Sequence, residues 1–316
     1  MFSFKLNVFA RPIILIVGKP FNSASASAFH SASAFYSAIS SSSVPNEVRS
    51  FTKLIRHNTQ ERAGIVELCL NRSEAKNAFC VPFVKELLDR IEEIRVDEDI
   101  RCLLIRSLAK DVFCAGADLK ERIAATSDQQ VRNLSGTLRH MCNLIESIPV
   151  PTIAVLDGGA YGGGLELALA CDIRVGASNV KMGLVETKWA ILPGAGGTQR
   201  LQRIVGISIA KELIFTARLL DGEEAKSVRL LNHLVPQNSD QTAAYEKSLA
   251  LAEQIACNGP IGVRAAKIAI DKGSQVDLAT GMTLEGLCYD RVIPTQDRTE
   301  GLKAFAGKYK PVYKGV

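Results

Sequence analysis

The sequence lacks the residue sets that many chemistries require. Its four histidines, His30, His57, His140 and His233, lie far apart without ligand spacing, so no residue is assigned to a metal. None of its eight cysteines forms a C-x-x-C pair. Most sit among apolar neighbours, as buried free thiols do, which fits a reducing compartment and not a disulfide framework. There is no P-loop and no G-x-S-x-G elbow. The apolar run IILIV, residues 13–17, is too short to span a bilayer, and no membrane partner is expected.

Acids are missing from the first 46 residues, which carry only Lys5, Arg11 and Lys19. The stretch FNSASASAFHSASAFYSAISSSSVP is nearly all Ser, Ala and aromatics. An acid-free, Ser-rich start with scattered bases reads as an organellar transit peptide over residues 1–45, for the mitochondrial matrix or alternatively a plastid. The other reading is a tail with no address. Without those three bases, 35 Lys and Arg face 33 Asp and Glu. A body so nearly neutral is not built to bind polyanions.

The rest, from about residue 52, has 3.6- and 2-residue patterning of an α/β protein. GIVELCLNR (64–72), RCLLIRSL (101–108), PTIAVLDG (151–158), CDIRVGAS (171–178) and VKMGLVE (180–186) read as strands, and VPFVKELLDRIEEIR (81–95) as a helix. After about residue 196 the pattern turns helical.

Two glycine turns then draw notice. The strand at 151–157 runs into GGAYGGG, followed by a helix, LELALAC, with Glu166 in its first turn. The strand at 101–108 runs into Ala115-Gly116-Ala117, with a helix from Asp118. Amides at a helix start lack partners, and glycine lets a ligand reach them. Two such turns can aim two N–H groups at one carbonyl oxygen and stabilise an enolate. Glu166 and Glu186 can divide the proton work, and the PGAGG turn (193–197) offers another N–H to orient a water. Taken singly these features have ordinary readings. GGAYGGG resembles a dinucleotide turn, but it lies mid-chain with no ribose-binding acid at the right distance. Glu166 can be a first-turn helix acid, and Glu186 a surface residue at a strand end.

At these residues the sequence resembles the crotonase, or enoyl-CoA hydratase, superfamily, in LNRSEAKNAF, FCAGADLKER, PTIAVLDGGAYGGGLELALACDIRV, MGLVETK, LPGAGGTQRL and TQDRTEGLKAFAGK. Within it, CAGADLKER, LELALACDIRV and KMGLVETK are most similar to methylglutaconyl-CoA hydratases. The resemblance implies a spiral of ββα units over 52–250. A helical region, 251–316, would serve trimerisation and cover the active site, in a homotrimer or a dimer of trimers. It implies a short-chain 2-enoyl-CoA substrate, 3-methylglutaconyl-CoA or a fatty-acid intermediate, with coenzyme A part of the substrate and no separate cofactor. Glu166 would be the base acting on water, Glu186 the acid, and the N–H groups of Ala115 and Gly163 the oxyanion hole. Gly194 would hold the water. Arg72, Ala75, Ala78, Ala117, Asp118 and Leu119 would meet coenzyme A, and Lys303 or Lys308 its phosphates.

Some of those relatives bind RNA through a lysine-rich helix. Here residues 83–99 hold three bases against seven acids, so no nucleic-acid partner is expected. Tyr161 and the single tryptophan, Trp189, depart from the expected pattern; they either pack in the core or shape the acyl pocket.

Overall fold

The computed structural model describes residues 50–59 and 61–316; the expected transit peptide lies outside the described residues. In chain order the strands are β1 (Thr52–Arg56), β2 (Ile65–Leu70), β3 (Cys102–Ser107), β4 (Val112–Cys114), β5 (Thr152–Leu156), β6 (Gly159–Tyr161), β7 (Ile173–Ala177), β8 (Lys181–Gly183), β9 (Leu220–Asp221) and β10 (His233–Val235). The helices are α1 (Val81–Val96), α2 (Leu119–Ala124), α3 (Asp128–Glu146), α4 (Gly163–Leu169), α5 (Gly197–Val205), α6 (Ile207–Thr216), α7 (Gly222–Ser227), α8 (Ala243–Ala256), α9 (Pro260–Gly273), α10 (Leu278–Asp290) and α11 (Gln296–Gly307).

The strands form two sheets. One has the order β1-β2-β3-β5-β7-β10, and the other β4-β6-β8-β9. Only β1–β2 and β8–β9 are antiparallel. Three consecutive strand pairs, β3–β4, β5–β6 and β7–β8, each give one strand to each sheet, and a helix follows the second strand. This is the expected ββα spiral.

The inner strands of the large sheet, β2, β3 and β5, are buried over most of their length on both faces, and their residues are mostly apolar. On β3, Leu103 and Ile105 face the main core with Phe83, Leu87 and Ile91 of α1. Cys102 and Leu104 face the other way, onto Ala244, Leu249 and Ala252 of α8. Alternate residues of a strand point to opposite faces, which divides the two cores. Seven of the eight cysteines are buried, and burial pushes the thiols of Cys102, Cys114 and Cys171 up to about 12.

The bases of α1 are already matched by its own acids. Lys85 meets Asp89 at 3.4 Å, Arg90 meets Glu93 at 3.0 Å and Arg95 meets Glu92 at 2.8 Å. The helix α3 lies outside the strands and helix expected from the patterning; its Leu138, Met141, Cys142 and Ile145 bury one helical stripe, and Ser127 with Gln130 forms a capping box. The C-terminal helices dock by polar contacts: Lys267 reaches Asp172 at 2.7 Å, and Arg101 donates to the carbonyls of Ala256 and Tyr313 at 2.8 and 2.6 Å.

The tightest joint lies between β4 and α4. A Cβ on Gly164 would sit 2.2 Å from the Cys114 carbonyl oxygen and 2.7 Å from its Cβ. Backbone cannot retreat from such a clash, so only glycine lets α4 start against β4. Gly164→Ala is expected to destabilise the fold by about 1–3 kcal/mol or more, read as a lower urea midpoint at unchanged m-value.

Candidate active site

Both glycine turns open on one cleft. It is lined by Ala115, Gly116, Ala117, Leu119 and Arg122 from the first turn and α2, and by Gly162, Gly163 and Glu166 from the second turn and α4. Glu186, Trp189, Gly194 and Ala195 close it, and α3 adds Ser135 and Leu138. The cleft holds about 570 Å³ including its open mouth.

The second turn is built as the sequence reading expects. Gly162 caps α4 with φ 50°, ψ −122°, a conformation glycine reaches without cost. This leaves the Gly163 N–H as an orphan donor at the first position of the helix. The first turn differs. The Ala115 N–H is spent on the Lys76 carbonyl at 3.0 Å, so Ala115 cannot supply the second donor. The reason is local pairing: residues 76–79 lie alongside this turn, joined by a parallel bridge between Phe79 and Ala117. Phe79 donates to the Gly116 carbonyl and Asp118 donates to that of Phe79, which turns the N–H of Ala117 the other way. Among the described residues no acceptor meets the Ala117 N–H. A Cβ on Gly163 would stand 3.5 Å from Ala117 N, and one on Gly116 would stand 3.0 Å from Gly163 N. Ala117 and Gly163, not Ala115 and Gly163, are the two free amides that face each other across the cleft.

Glu166 is 3 % exposed. Its Oε1 accepts the N–H groups of Ala195 and Gly197 at 2.8 and 2.7 Å. Burial raises its pKa from the ordinary carboxylate range, while those two amides and the Arg200 guanidinium pull it back. Glu186 is 9 % exposed and neither of its oxygens has a hydrogen-bond partner. Burial, followed by the nearby charge of Glu166, pushes it up to about 7. It does not end a strand as expected. β8 stops at Gly183, and Glu186 opens a 3-10 turn, Glu186–Trp189. Glu166 thus has two amide donors and a guanidinium that favour its charged form, while Glu186 has no donor and is poised to keep its proton, the kind of division that acid–base catalysis needs.

The PGAGG turn carries more than the sequence suggests. Arg200, from α5, donates to the Ala195 carbonyl at 3.0 Å, to Asn143 Oδ1 at 2.8 Å and to Glu146 Oε2 at 2.7 Å. Arg139 donates to the Gly194 carbonyl at 3.0 Å. The helix α3 therefore holds the turn that holds Glu166. Asn77 plays a similar part upstream. Its side chain accepts from Arg72 N and donates to Ser107 Oγ and the Phe113 carbonyl, each at 2.8 Å, while its backbone has φ 55°. Asparagine tolerates this left-handed region and satisfies the buried groups, a signal readable from LNRSEAKNAF only with β4 beside it.

Of the other expected contacts, Ala117 and Leu119 line the cleft, whereas Arg72, Ala75, Ala78 and Asp118 do not. Arg72 donates to the Ala78 carbonyl at 2.6 Å and to Asp118 at 3.0 Å, and Asp118 also caps α2. These residues brace the donor loop. Lys303 and Lys308 are exposed and neither lines the cleft. Trp189 is 62 % exposed at the cleft, so it is not a core residue. Tyr161 does not line the cleft; its ring folds back over Gly159, where a Cβ would meet its hydroxyl. Among the described residues no cluster of three His, Cys, Asp or Glu could hold a metal, and no helix is long and apolar enough to cross a membrane.

Residues 60–316 match the family model for enoyl-CoA hydratase/isomerase. The chain is 52 % identical over 261 residues to human methylglutaconyl-CoA hydratase, mitochondrial, covering 83 % of this chain and 77 % of that protein. It is 53 % identical over 252 residues to human enoyl-CoA hydratase domain-containing protein 2, mitochondrial, covering 80 % and 86 %. The crystal structure of an enoyl-CoA hydratase from Bacillus anthracis superposes with a TM-score of 0.79 at 42 % identity, covering 84 % of this chain and all of that one. With its ββα spiral and its paired carboxylates, the chain belongs to the enoyl-CoA hydratase/isomerase family and is an enzyme of the enoyl-CoA hydratase class.

Proposed function

We propose that the protein adds water across the α,β double bond of 3-methylglutaconyl-CoA. The observation that carries the chemistry is the pair of buried carboxylates with opposite surroundings beside two unpartnered amides. The thioester carbonyl accepts from Ala117 and Gly163, whose N–H groups bind the oxygen more strongly as it becomes an enolate. Ionised Glu166 takes a proton from water, and the hydroxide oxygen bonds to the β-carbon. The double-bond electrons move onto the thioester. Protonated Glu186 then delivers its proton to the α-carbon. The proton left on Glu166 and the charge left on Glu186 are reset through solvent, so the net change is one water added. Half-buried Gly194 of the PGAGG turn lines the cleft, which supports a part for it in holding that water.

The methylglutaconyl substrate is supported by the human relative of that name. The second reading, a broad short-chain enoyl-CoA hydratase of fatty-acid oxidation, is favoured by the equal likeness to a relative named only for its enoyl-CoA hydratase domain. Comparing kcat/KM for crotonyl-CoA and 3-methylglutaconyl-CoA decides between them. Names of both human relatives include "mitochondrial", which with the acid-free leader supports a mitochondrial matrix location. We place the protein in a trimer or dimer of trimers through its C-terminal helices, which leave Ile270, Leu278, Met282 and Phe305 exposed.

Glu166→Gln and Glu186→Gln are each expected to lower kcat by about 10²–10⁴-fold with the far-UV spectrum unchanged. A near-normal rate in either variant overturns the two-carboxylate mechanism. The wild-type kcat/KM should fall as pH rises through about 7, where Glu186 loses its proton. Because the folded pKa of Glu186 lies above its unfolded value, its stabilisation is complete below the unfolded pKa and is lost as pH rises through about 7. Glu186→Gln should therefore melt at a higher temperature than wild type at pH 8, with little difference at pH 5. Arg200→Met removes a cation that lowers the Glu166 pKa and frees the Ala195 carbonyl. Its acid limb should move to higher pH while the limb near 7 stays. An unmoved acid limb would show that Arg200 only packs.

A further inference from the structure

The cleft contains one cation that the mechanism above leaves idle. Of the sixteen residues that line it, three are charged: Glu166, Glu186 and Arg122. The guanidinium of Arg122 makes no ion pair and no side-chain hydrogen bond among the described residues. Its neighbours on α2 are engaged elsewhere. Asp118 caps the helix and holds Arg72, and the Glu121 carboxylate accepts the Val81 N–H at 3.2 and 3.0 Å. The helix start is therefore fixed, while Arg122 is left to face the cleft five residues beyond the Ala117 donor. Arg122 is near enough for its charge to favour the ionised forms of both Glu166 and Glu186, yet it bonds to neither.

We infer that Arg122 receives a carboxylate at the far end of the acyl chain, which makes ω-carboxylated 2-enoyl thioesters the substrate class of this cleft. The inference rests on the hydratase reading and deepens it. Two carboxylates in a cleft otherwise walled by Ala, Gly, Leu, Val, Ile, Trp and a single Ser repel a third. Only a cation at the acyl end lets an anionic chain enter, and a guanidinium presents two parallel donors that match a carboxylate. The same group acts against a plain hydrocarbon tail, which would cover it and leave it without a partner. Arg122 thus selects in both directions.

Two matched pairs of thioesters test this. Glutaconyl-CoA is crotonyl-CoA with a terminal carboxylate, and glutaryl-CoA stands in the same relation to butyryl-CoA. In Arg122→Met the ratio of kcat/KM for glutaconyl-CoA over crotonyl-CoA should fall by about 10- to 100-fold relative to wild type. Arg122→Lys, which keeps the charge but not the fork, should recover part of that ratio. In calorimetry the same variant should weaken glutaryl-CoA far more than butyryl-CoA. An equal loss on both members of each pair, or a change confined to the pH profile, overturns the assignment to the acyl carboxylate. If the wild-type enzyme hydrates neither enoyl thioester, the hydratase reading fails on its own, and the calorimetric pair still decides whether Arg122 meets a carboxylate.

Discussion

Two hydrogen bonds hold the site together: the amides of Ala195 and Gly197 donating to one oxygen of buried Glu166. A carboxylate taken out of water needs such partners or it takes up a proton. Those amides point inward because the PGAGG turn is bent and pinned, by Arg200 on the Ala195 carbonyl and Arg139 on that of Gly194. Arg200 is in turn held by Asn143 and Glu146 of α3. The helix α3, which carries neither carboxylate of the cleft, thus fixes the surroundings of Glu166.

Glu186 is the counterpart. It has been given burial and a neighbouring negative charge but no donor, so it keeps its proton to about neutral pH. Two identical side chains are given different surroundings, one with amide donors and one without. The spiral makes this possible. Each ββα turn returns the chain to the same edge of the small sheet, so the ends of β4, β6 and β8 deliver the two donor turns and Glu186 side by side. Gly164 lets α4 press against β4 at that edge.

The same packing selects which amide of the first turn is free. Along the sequence, Ala115 and Ala117 flank Gly116 and are equally small, and both follow a strand. The choice between them is made by residues 76–79, some forty positions upstream, which accept from Ala115 and orient Ala117 toward the cleft. Trp189 likewise looks like core by composition and is instead exposed at the cleft.

The alternation of strands and helices was legible along the chain, because apolar periodicity is local and survives without a partner. So was the place of Glu166 in the first turn of a helix after a glycine turn, since that follows from glycine's backbone freedom and from helix ends. Which free amide stands beside Gly163, what surrounds each carboxylate, what Arg200 holds and where Arg122 faces emerge only in the folded chain. Hydrogen-bond partners, burial and charge neighbours are properties of residues distant in the chain, and they exist only once the spiral has closed.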